Sequence, residues 1–436
     1  MRDLPLLLGF FAMCLWGVAY PHVGALLWCW TALMVPNFYV FGIASRIPFN
    51  KIAAILTIVS LAISREPKFI TIRSTMGLLL LFGAWGTISA LTSVSMSDNV
   101  IGEWSKFIKI IGFSFVICAI ITTKERIDAL LLIIFLSLGF HGIVSGLKFI
   151  ASGGSHHIYG PGTSIIADNN HFALAMIALL PAVLYLYGQF SANWIKSTLI
   201  GSSGLIAVSV MGTFSRGGFL GLGAVVAMAF ARSKQKAKYA LVVVPLVLVA
   251  AAFAPESWST RMDTIMTADQ DESFMGRVIA WKQSTLIALD HPWFGGGFFA
   301  VQDPVLWTQY RRVFHRLDFI PTSEPAEQAV YAAHSIYFQV LGDLGFAGLI
   351  IFLSILISAW RNASAIMKLS RDRPAWQWAH DLALAFQYGL LAYIISGAAL
   401  SMAYFDYVYV IFAVLIVIRR MLTESLMPKE TRSHLA

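Results

Sequence analysis

Four short polar groups interrupt an otherwise apolar chain, and their residue types can do chemistry. They are Asp168-Asn169-Asn170-His171, Thr213-Phe214-Ser215-Arg216-Gly217-Gly218, Gly276-Arg277 and His334-Ser335. A polar group at membrane depth is costly, so it marks a pairing or functional site by default. Arg216 opens an expected helix just after Thr213 and Ser215, both good capping residues. Free N–H groups at a helix start attract anions, and a guanidinium adds a planar fork that grips phosphate oxygens in pairs. Gly217, Gly218 and Gly221 leave room for a close neighbour. The competing reading is an arginine snorkelling to headgroups. Arg277 lies early in a second expected helix and reads as an anion partner or as a solvated surface cation. His334 begins an apolar stretch; its neutral imidazole can take a proton from a hydroxyl near neutral pH, or it can simply bond a loop carbonyl. Asp168 reads as a helix cap, while Asn170 and His171 can bond ligand hydroxyls.

Other polar residues carry less. Arg311, Arg312 and Arg316 in VLWTQYRRVFHRLDF are candidates for the same anion site, against plain surface solvation. His156 and His157 are adjacent, do not face one another on a helix and have no acidic neighbour, so they make a poor metal site. Tyr337, Phe338 and Leu341 share a face with His334 and read as packing; Asp343, deeper in that stretch, reads as a helix-pairing group. Cys14, Cys29 and Cys118 lie in apolar runs and read as small buried hydrophobes. The chain has no phosphate-cradling Walker loop, dinucleotide fingerprint, HExxH or nucleophile elbow. Nothing calls for a metal or a cofactor.

The elements that must position these groups follow from composition. Of 436 residues, 58% are hydrophobic and 12% charged, about half the charge of a soluble domain. Such a chain cannot cover a water-facing surface. Its apolar runs fall near 3–20, 22–40, 49–63, 75–94, 104–121, 128–150, 168–188, 194–213, 216–231, 238–254, 335–360, 381–400 and 404–418. Their length suits a hydrocarbon core of about 30 Å, and lipid demands internally bonded helices. The expectation is an all-α polytopic membrane protein with about twelve transmembrane helices, the second run being broken by Pro36.

The net charge of +8 is topogenic rather than a nucleic-acid footprint. Arg232, Lys234, Lys236 and Lys238 form one basic loop, Arg361, Lys368, Arg371 and Arg373 another, and the tail after Arg419 and Arg420 is basic too. The positive-inside rule puts these in the cytoplasm. All four polar groups then fall on the opposite side. The expected organisation is N-terminal transmembrane helices (1–254), a large outer loop (255–333), C-terminal transmembrane helices (334–420) and a cytoplasmic tail (421–436). Within the loop, 274–289 has helical spacing, Pro292 stops that helix, Gly295, Gly296 and Gly297 form a turn, and 305–317 can form a second helix.

The ordered set Ser215-Arg216-Gly217-Gly218, Gly276-Arg277 with Trp281, His291-Pro292-Trp293-Phe294-Gly295 with Gly297, and His334-Ser335 with Tyr337 and Leu341-Gly342-Gly345-Gly348 resembles the O-antigen ligase and polymerase superfamily. Asp168-Asn169-Asn170-His171 fits the same pattern, and the N-terminal segment resembles a branch of O-glycosylation ligases associated with exosortases. The resemblance covers most of the chain and is strongest over 160–360. It implies a GT-C-like, metal-independent glycosyltransferase of the bacterial inner membrane with its site facing the periplasm; direct displacement with a base on the opposite face of the sugar would make the transfer inverting. The implied donor is a glycan on undecaprenyl pyrophosphate, and the implied acceptor is lipid A–core, a growing glycan or a protein. By resemblance, Arg216 and Arg277 bind pyrophosphate and His334 activates the acceptor. An O-antigen polymerase or protein O-oligosaccharyltransferase would use the same donor. A lipid-linked glycan flippase would instead place ionisable residues along a path near the bilayer midplane.

Overall fold

The computed structural model describes residues 3–66, 68, 74–236, 272–320, 322 and 330–427. The expected span at 238–254, with Lys238, lies outside the described residues, as do 255–271 of the outer loop and 428–436 of the tail. The regular elements among the described residues are all helical. In chain order the longer ones are α1 (Leu4–Ala19), α2 (Pro21–Met34), α3 (Phe49–Ile63), α4 (Ser74–Leu91), α5 (Asn99–Ile120), α6 (Lys124–Ala151), α7 (Asn169–Gln189), α8 (Asn193–Met211) and α9 (Arg216–Arg232). They continue with α10 (Glu272–Asp290), α11 (Pro304–Arg311), α12 (Ile336–Ser370), α13 (Gln377–Gly397) and α14 (Asp406–Leu426). As expected, Pro36 ends the second run: Val35 turns into the left-handed region and a short 3-10 turn follows.

Among the described residues four helices, α6, α7, α8 and α12, are long and apolar enough to cross a membrane, and α1, α3 and α4 are shorter apolar helices. Length and composition thus single out fewer spans than the dozen expected. The remaining long helices fall short by charge, length or hydropathy: α5 carries Glu103, Lys106 and Lys109, α14 carries Asp406, Arg419 and Arg420, and α13 carries His380, Asp381 and Gln387. They nonetheless pack into the bundle, whose buried core runs from Phe10 to Leu422 and includes the middle of α14 on every face. The three cysteines are free and buried, as expected of small hydrophobes.

The segment between α9 and α12 is more than a loop. Its described part holds α10, α11 and two 3-10 turns around a second core of Ile279, Leu286, Ile287, Trp307, Tyr310 and Phe314. The helix expected at 274–289 is α10. The helix expected over 305–317 stops at Arg311 and resumes as a 3-10 turn at Phe314–Leu317. Asp303, itself buried, caps α11 through Val305 and Leu306 and also accepts from the Met96 amide, 3.0 Å away. Lys282 donates to the Ile320 carbonyl and Thr322 Oγ1 over the Phe314 ring.

This cap enters the bundle through a break in α12. Gly345 has φ +72 and ψ −173, so the helix changes course there. The turn Pro292–Gly297 fills the gap and completes the interrupted ladder. The Gly296 and Gly297 amides donate to the Gly342 and Asp343 carbonyls at 2.9 and 3.0 Å, and the Phe346 amide donates to the Pro292 carbonyl at 2.9 Å. From α4, Ser89 Oγ reaches the Phe294 and Asp343 carbonyls, and Trp85 Nε1 the Trp293 and Leu344 carbonyls. The Gly342, Asp343 and Leu344 carbonyls and the Phe346 amide, freed by the break, thus meet partners, as buried backbone groups should.

The close fit explains two glycines. A Cβ on Gly295 (φ +66) would lie 2.5 Å from the Gly345 nitrogen, and one on Gly345 would lie 2.7 Å from the Pro292 carbonyl oxygen. Gly153 has a similar φ of +64 but nothing within 4 Å of such a Cβ. Gly153→Ala should therefore cost only the left-handed penalty, about 1 kcal/mol, whereas Gly295→Ala should cost about 3 kcal/mol or more. Melting temperatures of the two purified variants check this; equal losses would show that the seam is not tightly packed.

Candidate active site

The polar groups meet at the end of the bundle where α7, α9 and α12 begin. Asp168 caps α7: its Oδ1 accepts from the Asn170 and His171 amides at 2.8 and 3.4 Å. Asn169, buried, donates through Nδ2 to the Thr213 carbonyl at 2.8 Å. His157 Nε2 lies 3.1 Å from that carbonyl, so the pair clamps the start of α7 to the turn before α9. His157 is thus a structural partner of this turn. Ser215 caps α9 by accepting from the Gly218 amide at 3.0 Å. Arg216 is its first residue and half-buried.

The glycines after Arg216 admit neighbouring helices. A Cβ on Gly218 would lie 2.8 Å from Ala173 Cβ of α7, and one on Gly221 would lie 2.0 Å from Ser396 Oγ of α13. Ser396 Oγ also donates to the Gly217 carbonyl at 3.0 Å. Small side chains bring α7, α9 and α13 close together at the level of Arg216.

His334 sits just before α12, with φ +42. A non-glycine residue held there is strained, and strain of this kind persists only where surroundings enforce it. Ser401, in the connection between α13 and α14, supplies part of that restraint: its Oγ accepts from the His334 amide at 2.7 Å. On the other side, Trp281 Nε1 donates to the Ala333 carbonyl at 2.8 Å, and its ring stacks on Phe338 at 5.1 Å. Trp281 is one turn beyond Arg277 on α10. The same residue that anchors α10 against α12 therefore sets Arg277 beside His334.

The electrostatics show which groups His334 faces. Burial disfavours its charged form most; the Arg277 guanidinium and then His171 add to that, while Asp168 opposes it. The imidazole is held well below its ordinary range, at about 4. At neutral pH it is uncharged and free to accept a proton. Arg277, His171, Asp168 and His334, spread over 167 residues of sequence, thus form one electrostatic cluster beside the start of α9. Asn170 flanks it, with Nδ2 bonded to Asn169 Oδ1.

Other expected residues lie elsewhere. Arg316 pairs with Asp290 at 2.9 Å. Arg311 is half-buried at the last turn of α11, and Arg312 lies exposed on its outward face, in an open cleft of about 570 Å³ with Pro304, Val305, Thr308 and Gln309. Tyr337 and Phe338 pack as expected, and Asp343 accepts at 3.1 Å from Tyr404 Oη in the connection between α13 and α14, so it ties α12 to that connection rather than to a neighbouring helix. Among the described residues, no group of three or more His, Cys, Asp or Glu gathers closely enough to hold a metal ion. Asn169 and Ser401 were not among the expected site residues. Asn169 adjoins the expected set, but Ser401 has no local signal in its apolar surroundings.

Asp168 has two separable roles. Asp168→Asn keeps a capping side chain, so stability should change by less than about 0.5 kcal/mol, while Asp168→Ala should cost about 1 kcal/mol. Both remove a negative charge near His334, so its pKa should fall further below about 4. Histidine NMR titration of the two variants checks this; an upward shift would break the assignment of the cluster.

Comparison with known proteins follows the same division. Residues 201–353 match the family model described as O-antigen ligase. Residues 1–191 match a family described as of unknown function. No curated protein matches the chain. The cluster straddles both matches: Asp168 and His171 lie in the first stretch of the chain, Arg216, Arg277 and His334 in the second. Residues 201–353, which carry both arginines and the histidine, are thus similar to the O-antigen ligase family.

Proposed function

We propose that this protein is an O-antigen ligase-type glycosyltransferase. It moves a glycan from undecaprenyl pyrophosphate to a hydroxyl of lipid A–core, in lipopolysaccharide biosynthesis, at the periplasmic face of the bacterial inner membrane. The observation that carries the reading is the neutral His334 set beside Arg277, at the end of the bundle where Arg216 opens α9. About twelve spans hold the polyprenyl tail in lipid, while Arg216 and the cap that carries Arg277 hold the head.

In this reading the acceptor oxygen attacks the anomeric carbon as the bond from that carbon to the pyrophosphate oxygen breaks. The acceptor proton passes to the His334 imidazole, and undecaprenyl pyrophosphate departs with the bonding pair. Attack from the face opposite the leaving group inverts the anomeric carbon. Arg216 and Arg277 stabilise the charge that grows on the departing phosphate, where fixed donors are worth most. Two guanidinium groups suffice for that without a metal. Asn170 and His171 bond sugar hydroxyls. A site gathered at one membrane boundary supports transfer rather than transport, which calls for ionisable groups along a path near the midplane.

Purified protein supplied with undecaprenyl-pyrophosphate glycan and a panel of lipid A–core, glycan and protein acceptors tests this. Lipid A–core should be modified; modification of the glycan or protein alone would assign the chain to the polymerase or oligosaccharyltransferase reaction. His334→Ala, Arg216→Ala and Arg277→Ala should each lower transfer by about a hundredfold or more. Arg216→Lys should be impaired as well, because lysine lacks the fork. A chelator should leave the rate unchanged. Full transfer by all three alanine variants, or strong inhibition by the chelator, sinks the mechanism.

The pH dependence carries a separate expectation. His334 acts as a base only when deprotonated, and its pKa in the free protein is about 4. The rate at low substrate should therefore hold as pH falls through 6.5 and decline only near 4. An acid limb near 6.5 would mean that His334 is not the titrating base.

A further inference from the structure

Two buried polar atoms near His334 have no hydrogen-bond partner: His171 Nε2 and Ser335 Oγ. They come from distant parts of the chain. Ser335 is 1% exposed and stands at the cap position of α12, yet its hydroxyl makes no cap bond. A serine there ordinarily accepts from the first turn. Leaving such atoms unsatisfied is costly, and folded proteins keep few of them without a reason.

The chemistry of the missing partner can be read from His171. Its Nδ1 lies 2.9 Å from the Ile165 carbonyl oxygen. A carbonyl only accepts, so Nδ1 carries the hydrogen. In the neutral ring Nε2 then holds a lone pair and can only accept. Its partner must bring an O–H or N–H. An ionised pyrophosphate diester has neither, and a hydrocarbon tail has neither. Arg216 and Arg277 are donors and suit phosphate; His171 Nε2 is the opposite and suits a hydroxyl. Ser335 Oγ can both donate and accept, which matches a second hydroxyl or a ring substituent on the same sugar.

We propose that His171 Nε2 and Ser335 Oγ form a sugar-hydroxyl subsite beside His334, separate in chemistry from the phosphate-binding arginines. Its sequence is discontinuous, so one half lies in each of the two matched regions. The subsite rests on the glycan-transfer reading above for the class of ligand. The hydroxyl belongs to the donor glycan or to the acceptor saccharide, and the two sources separate by experiment.

The test is equilibrium binding by the full-length protein in nanodiscs, with three probes: undecaprenyl pyrophosphate, the same lipid bearing N-acetylglucosamine, and lipid A–core. The native protein should bind the sugar-bearing lipid about tenfold more tightly than the bare one, the effect of one or two neutral hydrogen bonds. In His171→Phe and in Ser335→Ala that ratio should fall to about one. His171→Gln places an amide oxygen near the position of Nε2 and should restore much of it. If the donor sugar adds nothing but lipid A–core binding weakens about tenfold in both variants, the hydroxyl is the acceptor's. A ratio that survives in His171→Phe and Ser335→Ala overturns the subsite. So does a native protein in which neither donor sugar nor lipid A–core responds to these substitutions. Failure of the native protein to bind undecaprenyl pyrophosphate overturns the donor reading instead, and the lipid A–core arm still reads the subsite. Melting temperatures add a check, because removing an orphaned hydroxyl should not destabilise: Ser335→Ala should melt no lower than the native chain.

Discussion

The break in α12 at Gly345 governs how the rest of the molecule is built. An interrupted helix in an apolar bundle leaves backbone donors and acceptors that lipid cannot satisfy. Here the turn Pro292–Gly297 partners the Gly342 and Asp343 carbonyls and the Phe346 amide, and Ser89 and Trp85 of α4 reach the Asp343 and Leu344 carbonyls. The consequence is geometric. A segment that belongs by sequence to the outer loop becomes part of the helical ladder, and the helix leading into it, α10, acquires a fixed place against α12. Trp281 repeats the attachment one level further out. Arg277 and His334 are neighbours because of these two attachments.

The site is a place where charge is arranged by what is withheld. His334 has little water and a guanidinium beside it, so it stays neutral. Its backbone sits in a left-handed conformation, with the Ser401 hydroxyl on its amide. The helix starts of α7 and α9 are spent on their own caps, Asp168 and Ser215. The anchoring is shared among α7, α9, α10, α12 and the α13–α14 connection, so none of these elements can shift alone without moving a group of the cluster. That is the preorganisation electrostatic catalysis needs.

Much of this was legible from residues. Ser215 and Asp168 announced helix starts, and the structure has both caps. Hydropathy found nearly every long helix, and the spacing of Met275, Val278, Ile279, Leu286 and Leu289 found α10. Three things were not legible. LGDLGFAG reads as an uninterrupted apolar helix, because glycine is as much a packing residue there as a breaking one; only the docked turn decides. The second outer helix is shorter than its apolar spacing suggests, since it ends at Arg311 and a 3-10 turn follows. Ser401 and Asn169 act through single bonds to backbone atoms distant in sequence, which no local pattern encodes. Nor could spacing separate Arg277 from Arg311 and Arg312: all are arginines on short amphipathic helices, and only packing turns Arg312 outward.

The rigid seam between cap and bundle is open to direct measurement. Spin labels at Leu289→Cys and Ile350→Cys, both exposed positions, in a background lacking the three buried cysteines, would report the separation of α10 and α12 by double electron–electron resonance. A single narrow distance is expected in the native chain, broadening when Gly295→Ala is added. A broad or two-peaked distribution in the native chain would contradict a fixed placement of Arg277 beside His334.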